Sequence, residues 1–344
     1  MQMFMSFLLI SFYSQAIKAQ EPDLIDVSEE LQVHRKMIDV RVFDAKGNPM
    51  TGLTGSDFRL RVGRVEIPIL YCEWVDSGVA THLGSEPDDL PVTKLSHKFE
   101  SRQSGRRIVM FLQGDITGAR QTGLMRGAQM ATELLSQLNK EDLVSVFSFV
   151  SHLKMHSDWT RDKRQIEDAI WDALKHKDEF WPSDDPNVCI EDHFDSQTAK
   201  DIANPERALG YIGEALEATK GTKVLFFIGW GLGRFSSSGV SMTPQYDSAV
   251  QKLTQSRVTV YSLDISRADY HSLEVGMKSV SKQTGGFYQK THQYSKRVFE
   301  KALRASRGYY LLTFEPPDSD PPHAFKINLV GRKGELLVKD PRFW

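Results

Sequence analysis

The stretch RRIVMFLQGDITGAR, residues 106–120, begins as an apolar strand and ends in small polar side chains around a single carboxylate. Gln113, Asp115 and Thr117 follow one another at two-residue spacing, and they carry an amide, a carboxylate and a hydroxyl oxygen. Such oxygens are the ligands that hard divalent cations take in proteins. The alternative is a polar strand end whose side chains hydrogen-bond the neighbouring backbone.

Three other stretches contain residues that could do chemistry. The segment DDPNVCIEDHFD, residues 184–195, gathers acids with one Cys and one His, but its spacing fits no known metal site and favours a solvated loop. GWGLG, residues 229–233, leads into RFSSSG instead of the helix N-terminus that a bound phosphate requires. His152 and His156 lack a companion Glu, and no elbow motif marks a Ser/His/Asp set.

Composition is that of an ordinary globular protein. The 344 residues are 40% hydrophobic and 26% charged, which is enough chain for two domains with packed cores. The formal net charge of -2 and the lack of a basic run argue against a nucleic-acid-binding protein.

The first 19 residues predict a secretory signal. An apolar run precedes small residues, with Ile17 and Ala19 placed as in a cleavage site, although no basic residue precedes the run. The alternative is a buried N-terminal helix. Beyond residue 19 no apolar run approaches the roughly 18 residues that span a bilayer. We therefore expect an exported protein, periplasmic or extracellular, with no membrane span after signal removal.

The only two cysteines are Cys72 and Cys189. In an oxidising compartment they could form one disulfide. Their wide separation, across two expected domains, favours two buried thiols instead.

Both ends of the chain have the period-two pattern of β-strands. Residues 38–42 alternate apolar and charged, and residues 58–69 alternate about a loop at Gly63 that suits a type II′ turn. Near the C-terminus, YYLLTFE is followed by FKINLV and ELLVK, which predict a hairpin. Neither end has enough strands for its own core, so we expect segments 28–76 and 307–344 to form one sandwich.

Between these ends the pattern changes twice. Residues 77–105 are rich in Gly, Ser, Pro and Asp and predict a linker. From residue 106 to 306, strands that are apolar on both faces alternate with helices, which indicates a mostly parallel sheet covered by helices on both faces. The short run HLKMHSDW is expected to lie antiparallel at the edge of this sheet.

The order of elements and five flanking stretches resemble one protein family. The stretches are VFDAKGNPMTGLTGSDFRL, LNKEDLVSVFSF, WTRDKRQIEDAI, KQTGGFY and ASRGYYLLTFEPP. In this order they resemble the exported bacterial proteins termed VWFA-related, abundant in acidobacteria, which contain a von Willebrand factor type A domain. The resemblance covers nearly the whole chain after the signal. It implies an α/β, VWA-like (Rossmann-like) fold for residues 106–306, inserted into or flanked by the small all-β sandwich.

Type A domains typically bind Mg²⁺ or another divalent cation, and the resemblance indicates where those ligands would lie. It places Gln113, Asp115 and Thr117 at the first-loop positions and Thr198 as a second-loop hydroxyl. Trp230 stands where an acid is expected after the fourth strand. Two expected acids are therefore replaced by neutral groups, so we expect a degenerate site without a cofactor; an ion, if bound, would use Asp115, Thr117 and Thr198.

The resemblance implies a non-enzymatic protein that binds another protein or a cell-envelope partner through loops at the carboxyl ends of the strands. We expect six residues to line this face as contacts: Gln113, Asp115, Thr117, Thr198, Trp230 and Leu232. One alternative is a periplasmic metal-dependent hydrolase, for which no nucleophile or metal set is found. Another is a structural envelope-assembly protein without a discrete ligand.

Overall fold

The computed structural model describes residues 35–76, 79–82, 105–115, 120–185, 189–237, 239–267, 272–291, 295–316 and 325–339. The predicted signal at residues 1–19, most of the predicted linker and Thr117 lie outside these residues. No helix among the described residues has the length and apolar character needed to cross a membrane.

The N-terminal segment is entirely β, as its alternation predicted. Gly63 adopts a φ of 60° at the first position of the β2–β3 loop, which agrees with the predicted turn. A fifth strand, residues 79–82, pairs with the strand Ile69–Asp76, so the prediction of a linker from residue 77 was wrong for these four residues. The strands are β1 (Lys36–Phe43), β2 (Phe58–Val62), β3 (Val65–Ile67), β4 (Ile69–Asp76) and β5 (Val79–His82).

The middle of the chain alternates strands and helices. Its elements are β6 (Arg107–Gln113), α1 (Gln121–Leu134), β7 (Leu143–Phe149), β8 (Leu153–Thr160), α2 (Lys163–Leu174), α3 (Ser196–Lys200), α4 (Pro205–Ala215), β9 (Lys223–Gly229), β10 (Arg234–Ser236), β11 (Gly239–Ser241), α5 (Tyr246–Gln255), β12 (Val258–Asp264), α6 (Glu274–Gln283), β13 (Tyr288–Lys290) and α7 (Ser295–Ala305).

Six of these strands form one sheet in the order β13-β12-β9-β6-β7-β8. All neighbours are parallel except β8, which runs antiparallel at the edge. The two faces of the sheet have separate cores, because side chains of β6 alternate between them: Ile108 and Met110 pack in one, Val109 and Phe111 in the other. The predicted α/β fold, with helices on both faces of a mostly parallel sheet, is confirmed.

Three C-terminal strands, β14 (Gly308–Phe314), β15 (Phe325–Leu329) and β16 (Glu335–Val338), pair with the N-terminal segment. One sheet has the order β16-β1-β14-β4-β5 and the other β15-β2-β3. The predicted hairpin of β15 and β16 is wrong, because β15 pairs with β2 and β16 with β1. The chain crosses from one sheet to the other between them, which places their apolar faces on opposite sides of one sandwich core.

The charged face of β1 is buried. Asp39 and Arg41 alternate with the apolar residues of the sandwich core, yet they are only 7% and 2% exposed. Asp39 pairs with Arg257 at 2.7 Å and with Lys339 at 3.1 Å. Arg257 immediately precedes β12, so this ion-pair cluster joins the sandwich to the central sheet.

The two cysteines form no disulfide. The Cys72 thiol donates to the carbonyl of Leu53 in the sandwich core, and the Cys189 thiol donates to the carbonyl of Asp185 beside the central sheet. Burial raises the pKa of Cys72 to about 12. The structure therefore holds two separate thiols: Cys72 is buried, as the second alternative predicted, whereas Cys189 is only partly buried.

Candidate functional site

Gln113 ties the end of β6 to the loop that follows β9. Its Nε2 donates to the carbonyl of Gly231 at 2.9 Å, while its Oε1 accepts from the backbone N of Trp230 at 3.0 Å and of Gly231 at 3.2 Å. Gly229 permits this approach, because a Cβ there would lie 2.6 Å from that Oε1. Gln113 is 1% exposed, so its predicted role as a surface contact is wrong. Its side chain joins the carboxyl end of β6 to the loop that follows β9.

Asp115, Arg120 and Trp230 stack at the same edge of the sheet. Arg120 donates from one terminal guanidinium nitrogen to Asp115 Oδ2 at 2.7 Å. The guanidinium carbon lies 4.0 Å from the centroid of the Trp230 ring. The indole Nε1 donates to the carbonyl of Gly114 at 2.9 Å, which fixes the ring beneath the guanidinium. A planar guanidinium cation is thus held between a carboxylate and an aromatic face.

This arrangement does not fit a divalent cation. The amide oxygen of Gln113 already accepts two backbone hydrogen bonds, and Arg120 already neutralises Asp115. Trp230 provides no oxygen ligand in place of the missing acid. Within the ranges that the structure describes, no three His, Cys, Asp or Glu side chains converge as metal ligands. A hard cation would have to displace the guanidinium to reach a single carboxylate.

Thr198 lies on a different secondary-structure element. It was predicted as a loop hydroxyl, but it lies on the short helix α3. Its hydroxyl and its backbone N both donate to Asp195, which caps the helix. Another acid of this segment, Asp184, accepts from the Thr160 hydroxyl at 2.8 Å and from Arg161 N at 2.7 Å. These two carboxylates of the predicted solvated loop satisfy local polar groups.

The loop after β9 is held from three sides. Leu232 is 1% exposed, and its backbone N donates to the carbonyl of Leu273 at 3.2 Å. Glu206, on α4, accepts from Gly233 N. Gly276, on α6, faces Leu232 so closely that a Cβ there would lie 2.6 Å from its Cβ. The prediction that Leu232 contacts a partner is therefore wrong; it anchors the loop from inside.

A two-stranded hairpin emerges from this anchored loop, where the sequence indicated only a Gly/Ser loop. Strands β10 and β11 pair from Arg234↔Ser241 to Ser236↔Gly239. Phe235 is 70% exposed, the largest exposure among the exposed large hydrophobic residues of the described chain. The sequence signal was the short alternation of Arg234, Phe235 and Ser236 before a Ser-rich turn.

A second polar network at the carboxyl ends of β12 and β13 was also missed. The Tyr288 hydroxyl lies 2.6 Å from Asp264 Oδ2 and 3.1 Å from Glu274 Oε2. Glu274 also pairs with Lys278 and Lys290. Burial alone would raise the pKa of Glu274, but the hydrogen bonds from Lys278, Lys290 and Tyr288 lower it to about 2. The network brings residues of three elements together, so no spacing along the chain could reveal it.

One serine–histidine pair has hydrolase-like geometry. Ser148 Oγ lies 2.8 Å from His156 Nε2. His156 is 1% and Ser148 4% exposed, and burial lowers the pKa of the imidazole to about 4. Among the described residues, His156 Nδ1 has no hydrogen-bond partner that would orient the ring as a catalytic carboxylate does. This pair is inaccessible to a substrate.

No protein-family model matches the sequence, and no curated protein matches it. Similar solved structures include von Willebrand factor type A proteins. One, from Catenulispora acidiphila, is 10% identical with a TM-score of 0.41, over 84% of this chain and 75% of that chain. The vWF domain of the type V pili tip protein Mfa5 from Porphyromonas gingivalis is 8% identical with a TM-score of 0.38, over 58% and 94%. The manganese-loaded TRAP protein of Plasmodium vivax is 11% identical with a TM-score of 0.36, over 68% and 92%.

Proposed function

We propose that this chain is an exported, non-enzymatic protein that binds a protein or cell-envelope partner through the carboxyl edge of its central sheet, without a divalent ion there. The stacked Asp115, Arg120 and Trp230 carry this proposal. The guanidinium supplies the positive charge that a bound cation would otherwise supply, and it pairs with the carboxylate of Asp115.

The binding face would combine this stack with the exposed hairpin. Arg120 and Trp230 are partly exposed, and Phe235 projects from the hairpin two residues beyond Gly233, the last anchored residue of the loop. Tryptophan, arginine and exposed aromatic side chains are the residues that most often dominate binding energy at protein interfaces. Gln113 and Leu232 would hold the loop rigid, so that little conformational entropy is lost on binding.

The test is capture of a partner from native envelope extract, identified by mass spectrometry, with and without a chelator. We expect recovery that is unchanged by the chelator and reduced by Trp230→Ala and by Phe235→Ser. Val65→Ser is the matched control, because Val65 is an exposed apolar residue of the sandwich, 56% exposed. Loss of binding in the chelator, or equal loss in the control variant, would contradict the proposal.

The hydrolase alternative has a separate test. A panel of esterase, phosphatase and peptidase substrates, with and without Mg²⁺ or Mn²⁺, should show no turnover by the full chain. Turnover that Asp115→Ala abolishes would favour the hydrolase, as would manganese density bridging the ends of β6 and β9 in a soaked crystal.

A further inference from the structure

A basic cleft lies between helix α7 and two turns of the sandwich. Its volume is about 500 Å³. The turn after β1 and the turn before β16 form one wall, and α7 forms the other. Five basic side chains line it: Lys46, Arg297, Lys301, Arg304 and Lys333.

Of the residues that the structure describes, two carboxylates, Asp44 and Glu335, line the same cleft. Asp44 is engaged by its own turn, where it accepts from the backbone N of Lys46 and of Asn48, both at 2.8 Å. Positive charge is therefore in excess.

Most of these cations lack an acidic partner. Among the described residues, no carboxylate oxygen lies within 4.0 Å of the side-chain nitrogens of Lys46, Arg297 or Lys333, whereas Arg304 reaches Glu300 at 4.0 Å. Lys301 Nζ lies 4.6 Å from the Phe287 ring centroid. Like charges that line one cleft repel one another, and an anion bound between them would relieve this repulsion.

The start of α7 adds to the positive potential. Its first turn contains Arg297, which lines the cleft, and no acid. The backbone dipole makes a helix N-terminus positive, so basic residues there are unfavourable for the helix itself. Gly47 closes the opposite wall, where a Cβ would lie 3.4 Å from Lys301 Cε. The side chain of Lys301 is thus held against the cleft wall.

We propose that this cleft binds a compact anion with two or three linked phosphate groups, independently of the partner-binding face. Arginine presents paired donors that match phosphate oxygens, and lysine adds point charges around them. Cations from both walls would contact neighbouring phosphates of one ligand, and a single phosphate would reach fewer of them. The source is a soluble polyphosphate or the phosphorylated headgroup of a lipid.

The test is calorimetric titration of the full chain with pyrophosphate and with tripolyphosphate at fixed ionic strength. We expect saturable binding, weakened about tenfold by Arg297→Gln and by Lys333→Gln, because each removes one charge-assisted contact. Both residues are exposed, so the variants should fold. Lys296→Gln is the matched control, since it removes the same charge from the next residue, outside the cleft lining, and should bind as the wild type does.

Vesicles distinguish the two sources. Binding to vesicles with a doubly phosphorylated inositol lipid, and not to phosphatidylcholine vesicles, would assign the headgroup; saturable binding of the soluble anions alone would assign a soluble ligand. The proposal is overturned if neither form binds, or if Lys296→Gln weakens binding as much as Arg297→Gln. Either result leaves the partner-binding proposal intact, because no residue is shared.

Discussion

Two aspartate–arginine pairs hold opposite ends of β6, and their surroundings differ. At the amino end, Arg106 and Asp142 are both 0% exposed. Arg106 donates to Asp142 through its backbone N at 2.9 Å and its Nε at 3.0 Å, and also to the Leu303 carbonyl and the Ser306 hydroxyl. At the carboxyl end, Asp115 is 9% exposed and Arg120 38% exposed.

The difference distinguishes a pair that stabilises the fold from a pair whose arginine is accessible to other molecules. The buried pair joins β6, the turn before β7 and the end of α7, and every nitrogen of its guanidinium has a partner. In the edge pair, Arg120 donates to Asp115 and stacks on Trp230, and 38% of its side chain remains exposed. The same two residue types therefore stabilise the fold at one end of β6 and can meet a partner at the other.

Removal of Asp142 should have the largest effect. Asp142→Ala leaves the buried Arg106 charge without its partner, which should lower the free energy of unfolding by about 3–5 kcal/mol. Urea denaturation of the variant and of Glu141→Ala, an exposed neighbour, measures the difference. A loss below about 1 kcal/mol would show that the buried pair is no stronger than a surface pair.

Glu274 tests whether burial or position at the edge decides how much an ionised carboxylate stabilises the fold. It lies at the end of the sheet, as Asp115 does, but it is 2% exposed and therefore buried, as Asp142 is. Its pKa falls from 4.5 to about 2 in the folded protein, so its ionised form contributes about 3 kcal/mol above pH 4.5. This contribution is lost as the pH falls through about 2.

The measurement is the free energy of unfolding as a function of pH for the wild type and for Glu274→Gln. The wild type should be the more stable at neutral pH, and the gap should close as the solution is acidified. A gap that is constant across this range would mean that the ionisation of Glu274 does not contribute.

Arg120 should matter far less for stability than its counterpart at the other end of β6. Arg120→Gln removes a partly exposed ion pair and a stacking contact, so the loss should be about 1 kcal/mol or less. The same urea denaturation measures it. A loss of unfolding free energy as large as that caused by Asp142→Ala would contradict the distinction between the two pairs.

Salt dependence should give the smallest effect. The loss on Arg120→Gln should shrink by a few tenths of a kcal/mol between about 0.1 M and 1 M NaCl, because the screening length falls from about 10 Å to 3 Å. The loss on Asp142→Ala should not change with salt, since its site excludes water and ions. Equal salt responses of the two variants would contradict this contrast.

The clearest predictions from the sequence concerned elements with strong periodicity. The strand at residues 107–113 has apolar side chains on both faces, and it lies in the middle of the sheet between two cores. At the start of α2 the Asp162 side chain accepts from Arg164 N, as is typical of an Asp directly before a helix. The sequence failed where pairing is remote: FKINLV and ELLVK are adjacent in the chain, yet their strands lie in different sheets.

The sequence predicted where the site lies in the fold, but not the roles of its residues. The sequence placed Gln113, Asp115 and Trp230 near one another, because strands of a parallel sheet end at the same edge. It gave no role to Arg120, since a cation five residues after Asp115 is ordinary until the fold stacks it on Trp230. It also gave contact roles to Gln113 and Leu232, whose burial depends on neighbours far along the chain.

The sequence by itself determined the longer strands and helices of the central region, and that a parallel sheet would be covered on both faces. These follow from local periodicity and residue type. Only the tertiary structure decided that Arg120 would neutralise Asp115, and that the charged face of β1 would be buried against the loop before β12. Coulomb interaction and desolvation depend on distances between remote residues, and those distances exist only once the chain has folded.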